Sequence, residues 1–211
     1  MSTNTLQKDN LLRGGQFLVK ETKCEDIFTL EDLSEEQKMM RDSTKEFVDR
    51  ELWAHWERFE KKDYAYTAET MRKAGDLGLL GIAVPEAYGG MGMGFVSTML
   101  VCDYISGATG SFSTAFGAHT GIGTMPITLY GNEEQKMKYV PKLATGEWFG
   151  AYCLTEPGAG SDVVSMKLRA EKRNDKYLLT GNKMWITNGP NASTLVVYAK
   201  TDPEAGSRGI T

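Results

Sequence analysis

The chain has 211 residues, of which 41% are hydrophobic and 25% charged, with a formal net charge of −4. That balance describes a globular chain with enough length to bury a sizeable core and no basic footprint for nucleic acid. No apolar run approaches the roughly 20 residues that a membrane helix needs. Three cysteines, Cys24, Cys102 and Cys153, are an odd number at wide spacing. They argue against a disulfide framework or a cysteine-based zinc site and fit a reducing compartment.

Residues 1–33 read as a partly irregular arm; Met1 to Leu12 lacks the apolar core of a secretory signal, so the expected location is cytoplasmic. Ser34-Glu35-Glu36-Gln37 is a capping box in which the serine hydroxyl accepts from the N3 amide and the glutamine reaches back. It predicts a long helix to about Lys61 with Phe47, Val48, Leu52 and Trp56 in its apolar stripe. Trp53 and Trp56 are expected as packing residues rather than ligand contacts. Thr67 is predicted to cap a second helix to about Ala74. Pro85 to Gly94 holds too many glycines to continue as helix and is expected as a surface loop.

Phe95 to Ser106 predicts a helix with Met99, Leu100 and Cys102 largely buried. Ser111 to Tyr130 reads as a small-residue apolar helix interrupted or ended around Gly123 to Pro126. Small side chains of this kind serve either close helix packing or the wall of an acyl pocket. Asn132 caps a helix from Glu133 to Leu143, with acidic residues where the helix dipole favours them. After Gly146 the texture turns to alternating and β-branched residues. Strands are predicted at Trp148 to Leu154, Val163 to Glu171, Tyr177 to Thr180, Lys183 to Thr187 and Leu195 to Ala199. A turn at Asp202 to Arg208 and a further strand starting at Gly209-Ile210-Thr211 follow. The chain divides into a helical domain over 34–146 and a β-rich part over 147–211.

Two stretches carry chemistry. Tyr152-Cys153-Leu154-Thr155-Glu156-Pro157-Gly158-Ala159-Gly160-Ser161-Asp162 passes from a buried strand into a glycine loop whose consecutive amides suit phosphate oxygens. A single glycine loop is equally an ordinary strand-to-loop transition. Lys176 to Gly189 reads as two short strands joined by a Gly181-Asn182 turn. Period-two alternation would then project Trp185 and Thr187 from one face, an aromatic plane and a hydroxyl suited to a flat heteroaromatic ligand. Of the two histidines, His55 and His119, the second reads as a satisfied structural residue or, alternatively, one that faces a pocket. No serine-hydrolase elbow, Walker loop or His-Glu-x-x-His motif is present, so the chemistry falls to a cofactor.

Together, Tyr-Cys-Leu-Thr-Glu-Pro-Gly-Ala-Gly-Ser-Asp and Lys-Met-Trp-Ile-Thr-Asn-Gly resemble the two flavin-site signatures of the acyl-CoA dehydrogenase family. Gly78-Leu79-Leu80-Gly81, Pro85-Glu86, Tyr88-Gly89-Gly90 and the stretch from Met125-Pro126 through Lys142 extend the resemblance over most of residues 34 to 211. It implies an α+β chain: an all-helical N-terminal domain, then a β-barrel-like middle domain cut before a C-terminal helical bundle. It also implies FAD and the α,β-dehydrogenation of an acyl-CoA thioester to a trans-2-enoyl-CoA in fatty-acid β-oxidation.

Carried over by position, the resemblance sets Tyr152, Leu154 and Thr155 at the polar edge of the flavin ring. Gly160 and Ser161 are set at the pyrophosphate, Ser161 also near the CoA pantetheine arm. Trp185, Ile186 and Thr187 lie beside the ring, with Thr187 toward N5. Glu156 and Asp162 are expected to fix the loop, since a carboxylate beside a pyrophosphate would be repelled. No catalytic base is assignable, because the family places that glutamate beyond the position of Thr211. The resemblance further implies electron-transfer flavoprotein as partner and a homo-oligomer. Gly14-Gly15-Gln16-Phe17 and Gly117-Ala118-His119 lean toward the very-long-chain type. Competing readings are an acyl-CoA oxidase or flavin monooxygenase of the same superfamily, and a non-catalytic binding or assembly module.

Overall fold

The structure, a computed structural model, describes Leu12 and residues 14–211. The expectation for Met1 to Leu12 falls almost wholly outside the described residues. The rest of the arm has three short 3₁₀ turns, Gly14–Leu18, Cys24–Asp26 and Leu30–Asp32, with no regular helix or strand among its described residues.

Helix α1, Glu35–Phe47, begins at the capping box: Ser34 Oγ accepts from the Gln37 amide at 3.2 Å and Gln37 Oε1 accepts from the Ser34 amide at 2.9 Å. It runs into a π-helical turn, Val48–Leu52, and a 3₁₀ turn, Trp53–His55, before α2, Trp56–Glu60. His55 leaves the helical region (φ −131°, ψ 20°), which breaks the i, i+4 relation between Leu52 and Trp56. The expected stripe is therefore corrected. Phe59 enters the core in place of Trp56, and Trp53 and Trp56 stay about half exposed, at 50% and 49%.

Helix α3, Tyr64–Asp76, starts three residues before the predicted cap. Asp63, not Thr67, caps it, accepting from the Tyr66 amide at 3.0 Å while paired to Arg58. The Pro85 to Gly94 segment is a loop containing one 3₁₀ turn, Glu86–Tyr88. Helix α4, Phe95–Ser106, has the predicted bounds, but it buries Ser97, Val101 and Ile105, while Met99 is exposed and Cys102 half-buried. A helix whose apolar residues are scattered around it carries no phase from which its inner face can be read; packing chooses it.

The predicted small-residue helix is α5, Gly110–Gly117, a π-helical stretch, Ala118–Thr124, and α6, Met125–Tyr130. Helix α7, Glu133–Ala144, carries the Asn132 capping box. Phe47, Leu52, Phe59, Phe112 and Phe116 form the centre of the helical core, with the Phe59 and Phe112 rings 5.5 Å apart edge to face. Phe149, next to the first strand, joins the same cluster, so the β-rich part is packed directly onto the helices.

That part begins with β1, Gly150–Cys153, paired in parallel with β4, Thr194–Val197, in the register Gly150 to Thr194 and Cys153 to Val197. Strands β2, Arg169–Arg173, and β3, Lys176–Thr180, form a separate antiparallel hairpin. The turn of that hairpin is Asn174-Asp175, with Asn174 in the left-handed region at φ 58°. This corrects the Gly181-Asn182 turn: residues 182–186 form no strand, and the segment from Val163 opens with a 3₁₀ turn, Val163–Ser165. Asn followed by Asp offers the positive φ that a tight turn needs, and the pairing closes there. Lys200 bridges Arg169 on one side and Ile210 on the other, and Pro203–Gly209 is a pair of short 3₁₀ turns kinked apart at Gly206, the first capped by Asp202. Among the described residues the strands make two two-stranded sheets and no closed barrel. No helix among them is long and apolar enough to cross a membrane.

Candidate functional site

Strand β1 reaches the site from a tightly packed junction. His119, fully buried in the π-helical stretch, donates from Nε2 to the Leu143 carbonyl at 2.9 Å and accepts the Gly150 amide on Nδ1 at 3.0 Å. The two partners fix the tautomer, and burial, only partly opposed by the Leu143 carbonyl, holds the imidazole down to about 4. His119 is thus a structural link between the end of α7 and the start of β1, and its pocket-facing alternative falls away. Beside it, a Cβ on Gly123 would lie 2.7 Å from the Gly150 carbonyl carbon, so helix and strand backbones meet there without side chains between them.

Beyond β1 the chain turns at Glu156–Ala159, where the two residues exchange backbone hydrogen bonds at 3.0 and 3.1 Å. Glu156 and Lys183 form an ion pair at 2.9 Å with side chains only 6% and 8% exposed. Lys183 Nζ also donates to the Leu154 carbonyl at 2.9 Å, and the Glu156 carboxylate accepts the Lys167 and Leu168 amides at 2.6 and 3.0 Å. Burial by itself would raise the Glu156 carboxyl. The Lys167 amide, the Lys183 ammonium and the Leu168 amide outweigh it and hold the group below the usual carboxylate range. Glu156 therefore fixes the loop, and Asp162 does so locally by accepting from the Ser165 hydroxyl.

The Met184 amide donates to the Thr155 carbonyl at 3.0 Å, so the two motif segments are laced together side by side. Tyr152, Leu154 and Thr155 are half-buried along this seam, and the Tyr152 ring lies 5.0 Å from that of Tyr198. Gly160 and Ser161 are exposed beyond the turn; a Cβ at Gly158 or Gly160 would meet no atom within 4 Å. Trp185 is 83% exposed with φ 59°, a backbone region an indole residue rarely adopts. Thr187 does not share a strand face with it. It lines, with Phe59, Tyr64, Ser111, Ala115 and Ile186, a cavity of about 430 Å³ against the helical core. Asn188 pins that side, donating from Nδ2 to the Ala115 carbonyl at 2.8 Å.

The donor set is hydroxyls, free-standing glycine-loop backbone and one open aromatic face. These are the groups a dinucleotide with a flat heteroaromatic ring requires: amides that approach a pyrophosphate closely, and a ring to lie beside. The residues missed from the sequence are Lys183, Asn188 and the Gly123–Gly150 contact. A signal existed for the first: one motif contains a lone glutamate among small residues and the other a lone lysine.

An all-helical unit whose aromatic core extends into a β-rich segment, with a glycine loop and an aromatic segment side by side, defines a class of nucleotide-cofactor proteins. Family comparison makes it specific. Residues 34–147 match the acyl-CoA dehydrogenase N-terminal domain and residues 151–211 the acyl-CoA dehydrogenase middle domain; the chain belongs to the acyl-CoA dehydrogenase family. It is 44% identical over 192 residues to a probable acyl-CoA dehydrogenase of Bacillus subtilis (strain 168), covering 90% of this chain and 32% of that protein. It is 48% identical over 174 residues to the mitochondrial isovaleryl-CoA dehydrogenase of Bos taurus, covering 82% of this chain and 41% of the relative. The crystal structure of an acyl-CoA dehydrogenase complexed with FAD from Bacillus anthracis superposes with a TM-score of 0.82 at 46% identity, over 90% of this chain and 32% of that one. The chain thus spans between about a third and under half the length of these relatives.

Proposed function

We propose that the protein is an FAD-dependent acyl-CoA dehydrogenase that converts an acyl-CoA thioester to the trans-2-enoyl-CoA. The observation that carries the reading is the lacing of the 152–161 segment to the 183–187 segment, the latter lining with Ile186 and Thr187 a cavity walled by α5. FAD supplies the hydride acceptor when bound. Gly160 and Ser161 would hold its pyrophosphate with backbone amides and a hydroxyl, Ser161 also meeting the pantetheine arm. Tyr152, Leu154 and Thr155 would meet the polar edge of the ring, and Trp185, Ile186 and Thr187 its side. The small residues Ser111 and Ala115, beside Thr187, would leave room for the acyl chain, which takes up the pocket-wall reading of this helix. Residues 34–146 form the helical domain of this scheme and 147–211 its β-rich part.

The wider role is fatty-acid or branched-chain acyl oxidation in the cytoplasm, by a homo-oligomer that passes electrons to electron-transfer flavoprotein. The relatedness to isovaleryl-CoA dehydrogenase supports a short branched acyl group better than a very long one. The test uses the protein from its complete coding sequence, loaded with FAD and mixed anaerobically with isovaleryl-, butyryl-, octanoyl- and palmitoyl-CoA. Flavin bleaching with stoichiometric enoyl-CoA is expected, fastest for the branched substrate. Absence of bleaching with all four refutes the activity. Reoxidation faster by oxygen than by electron-transfer flavoprotein would make the protein an oxidase.

A further inference from the structure

The Lys183–Glu156 pair has properties that loop closure alone does not require. Both side chains are more than nine-tenths buried, and each bonds to main chain from a different stretch. Lys183 holds the Leu154 carbonyl, at the end of β1; Glu156 holds the amides of Lys167 and Leu168, which lead into β2. Two residues beyond Lys183 stands Trp185, exposed and in the left-handed region, a conformation that persists only where neighbouring structure imposes it. The contacts that hold the chain just before it are the Lys183 ammonium on the Glu156 carboxylate and the Leu154 carbonyl, and the Met184 amide on the Thr155 carbonyl. An ammonium is a compact point charge that can serve a carboxylate and a carbonyl at once, which the planar guanidinium of arginine does less well.

We propose that the buried Lys183–Glu156 pair is a positioning clamp that sets where Trp185 and Thr187 stand relative to the 152–161 loop, and so tunes the environment of a bound flavin. This rests on the reading of those two segments as the FAD site. Neither residue need touch the cofactor. Removing one partner leaves the other charge buried and alone, whereas removing both charges together relieves that penalty. The clamp thus has a signature: a single neutral substitution perturbs the site more than the double one.

The experiment uses the protein from its complete coding sequence as wild type, Lys183→Met, Glu156→Gln and the double variant. FAD affinity is measured by fluorescence titration, and the visible absorption and circular dichroism of the flavin are recorded at saturating FAD. Lys183→Met is expected to weaken FAD binding about tenfold or more, because the 185–187 segment loses its fixed placement against the 152–161 loop. It should also shift the flavin spectrum even when every site is filled, and the double variant should recover part of both. A saturated spectrum identical to wild type in the folded single variants overturns the proposal, since a merely structural pair would lower stability and leave the bound flavin unchanged. Failure of both single variants to fold, with the double variant equally unfolded, overturns it as well. If wild type takes up no FAD, the site reading itself fails, and the clamp with it; that outcome is separate from equal FAD binding by wild type and variants, which refutes the clamp alone.

Discussion

Lowering the pH should destabilise this chain through His119 in particular. Its imidazole is held at about 4 in the folded protein against an ordinary value of 6.5. Between those values the unfolded chain binds a proton that the folded one refuses, so the contribution is fully present above 6.5 and lost as pH falls toward 4. At about 1.4 kcal/mol per unit, the difference amounts to about 3 kcal/mol below pH 4, and about 2 kcal/mol is already lost at pH 5. The structural cause is specific: a protonated Nδ1 would point a hydrogen at the Gly150 amide that now donates to it. Urea unfolding followed by tryptophan fluorescence at pH 8, 6 and 5 measures this, with His119→Gln as the reference that cannot titrate. The wild-type curve should lose about 2 kcal/mol more than the variant between pH 8 and 5. Parallel losses in the two proteins would refute the assignment of the buried neutral tautomer.

Three substitutions test the neighbouring features. Gly123→Ala should cost about 1–3 kcal/mol by forcing apart the π-helical stretch and β1, where the new Cβ would meet backbone at 2.7 Å; an unchanged urea midpoint would contradict that contact. An added Cβ at Gly160 would meet nothing within 4 Å, so for Gly160→Val stability should hold within about 0.5 kcal/mol while FAD affinity falls, and equal FAD titrations would remove the loop from the proposed site. Thr187→Val keeps the volume at the cavity wall and removes the hydroxyl; it should alter the bound flavin's absorption and slow its reduction by acyl-CoA, and no change in either would deny Thr187 its role.

Local chemistry was legible in the sequence wherever a short-range rule decides the outcome. Ser34-Glu35-Glu36-Gln37 and Asn132 start their helices because the cap and its amide lie three residues apart, whatever the rest of the chain does. The two motif stretches were visible for a similar reason: glycines, hydroxyls and an indole crowd into a few positions. What the sequence could not carry is phase and partnership. The apolar residues of helix α4 are spread around its circumference rather than gathered in one stripe, so the order of residues does not say that Ser97, Val101 and Ile105 face inward and Met99 outward. Two turn sites, Asn174-Asp175 and Gly181-Asn182, compete within one stretch, and strand pairing settles which one closes the hairpin. Likewise, Glu156 and Lys183 are ordinary charges until folding takes both from water and leaves each as the other's counterion. Their pairing, and with it the placing of the aromatic segment against the glycine loop, is a product of the tertiary structure, because burial is what makes one charge depend on the other.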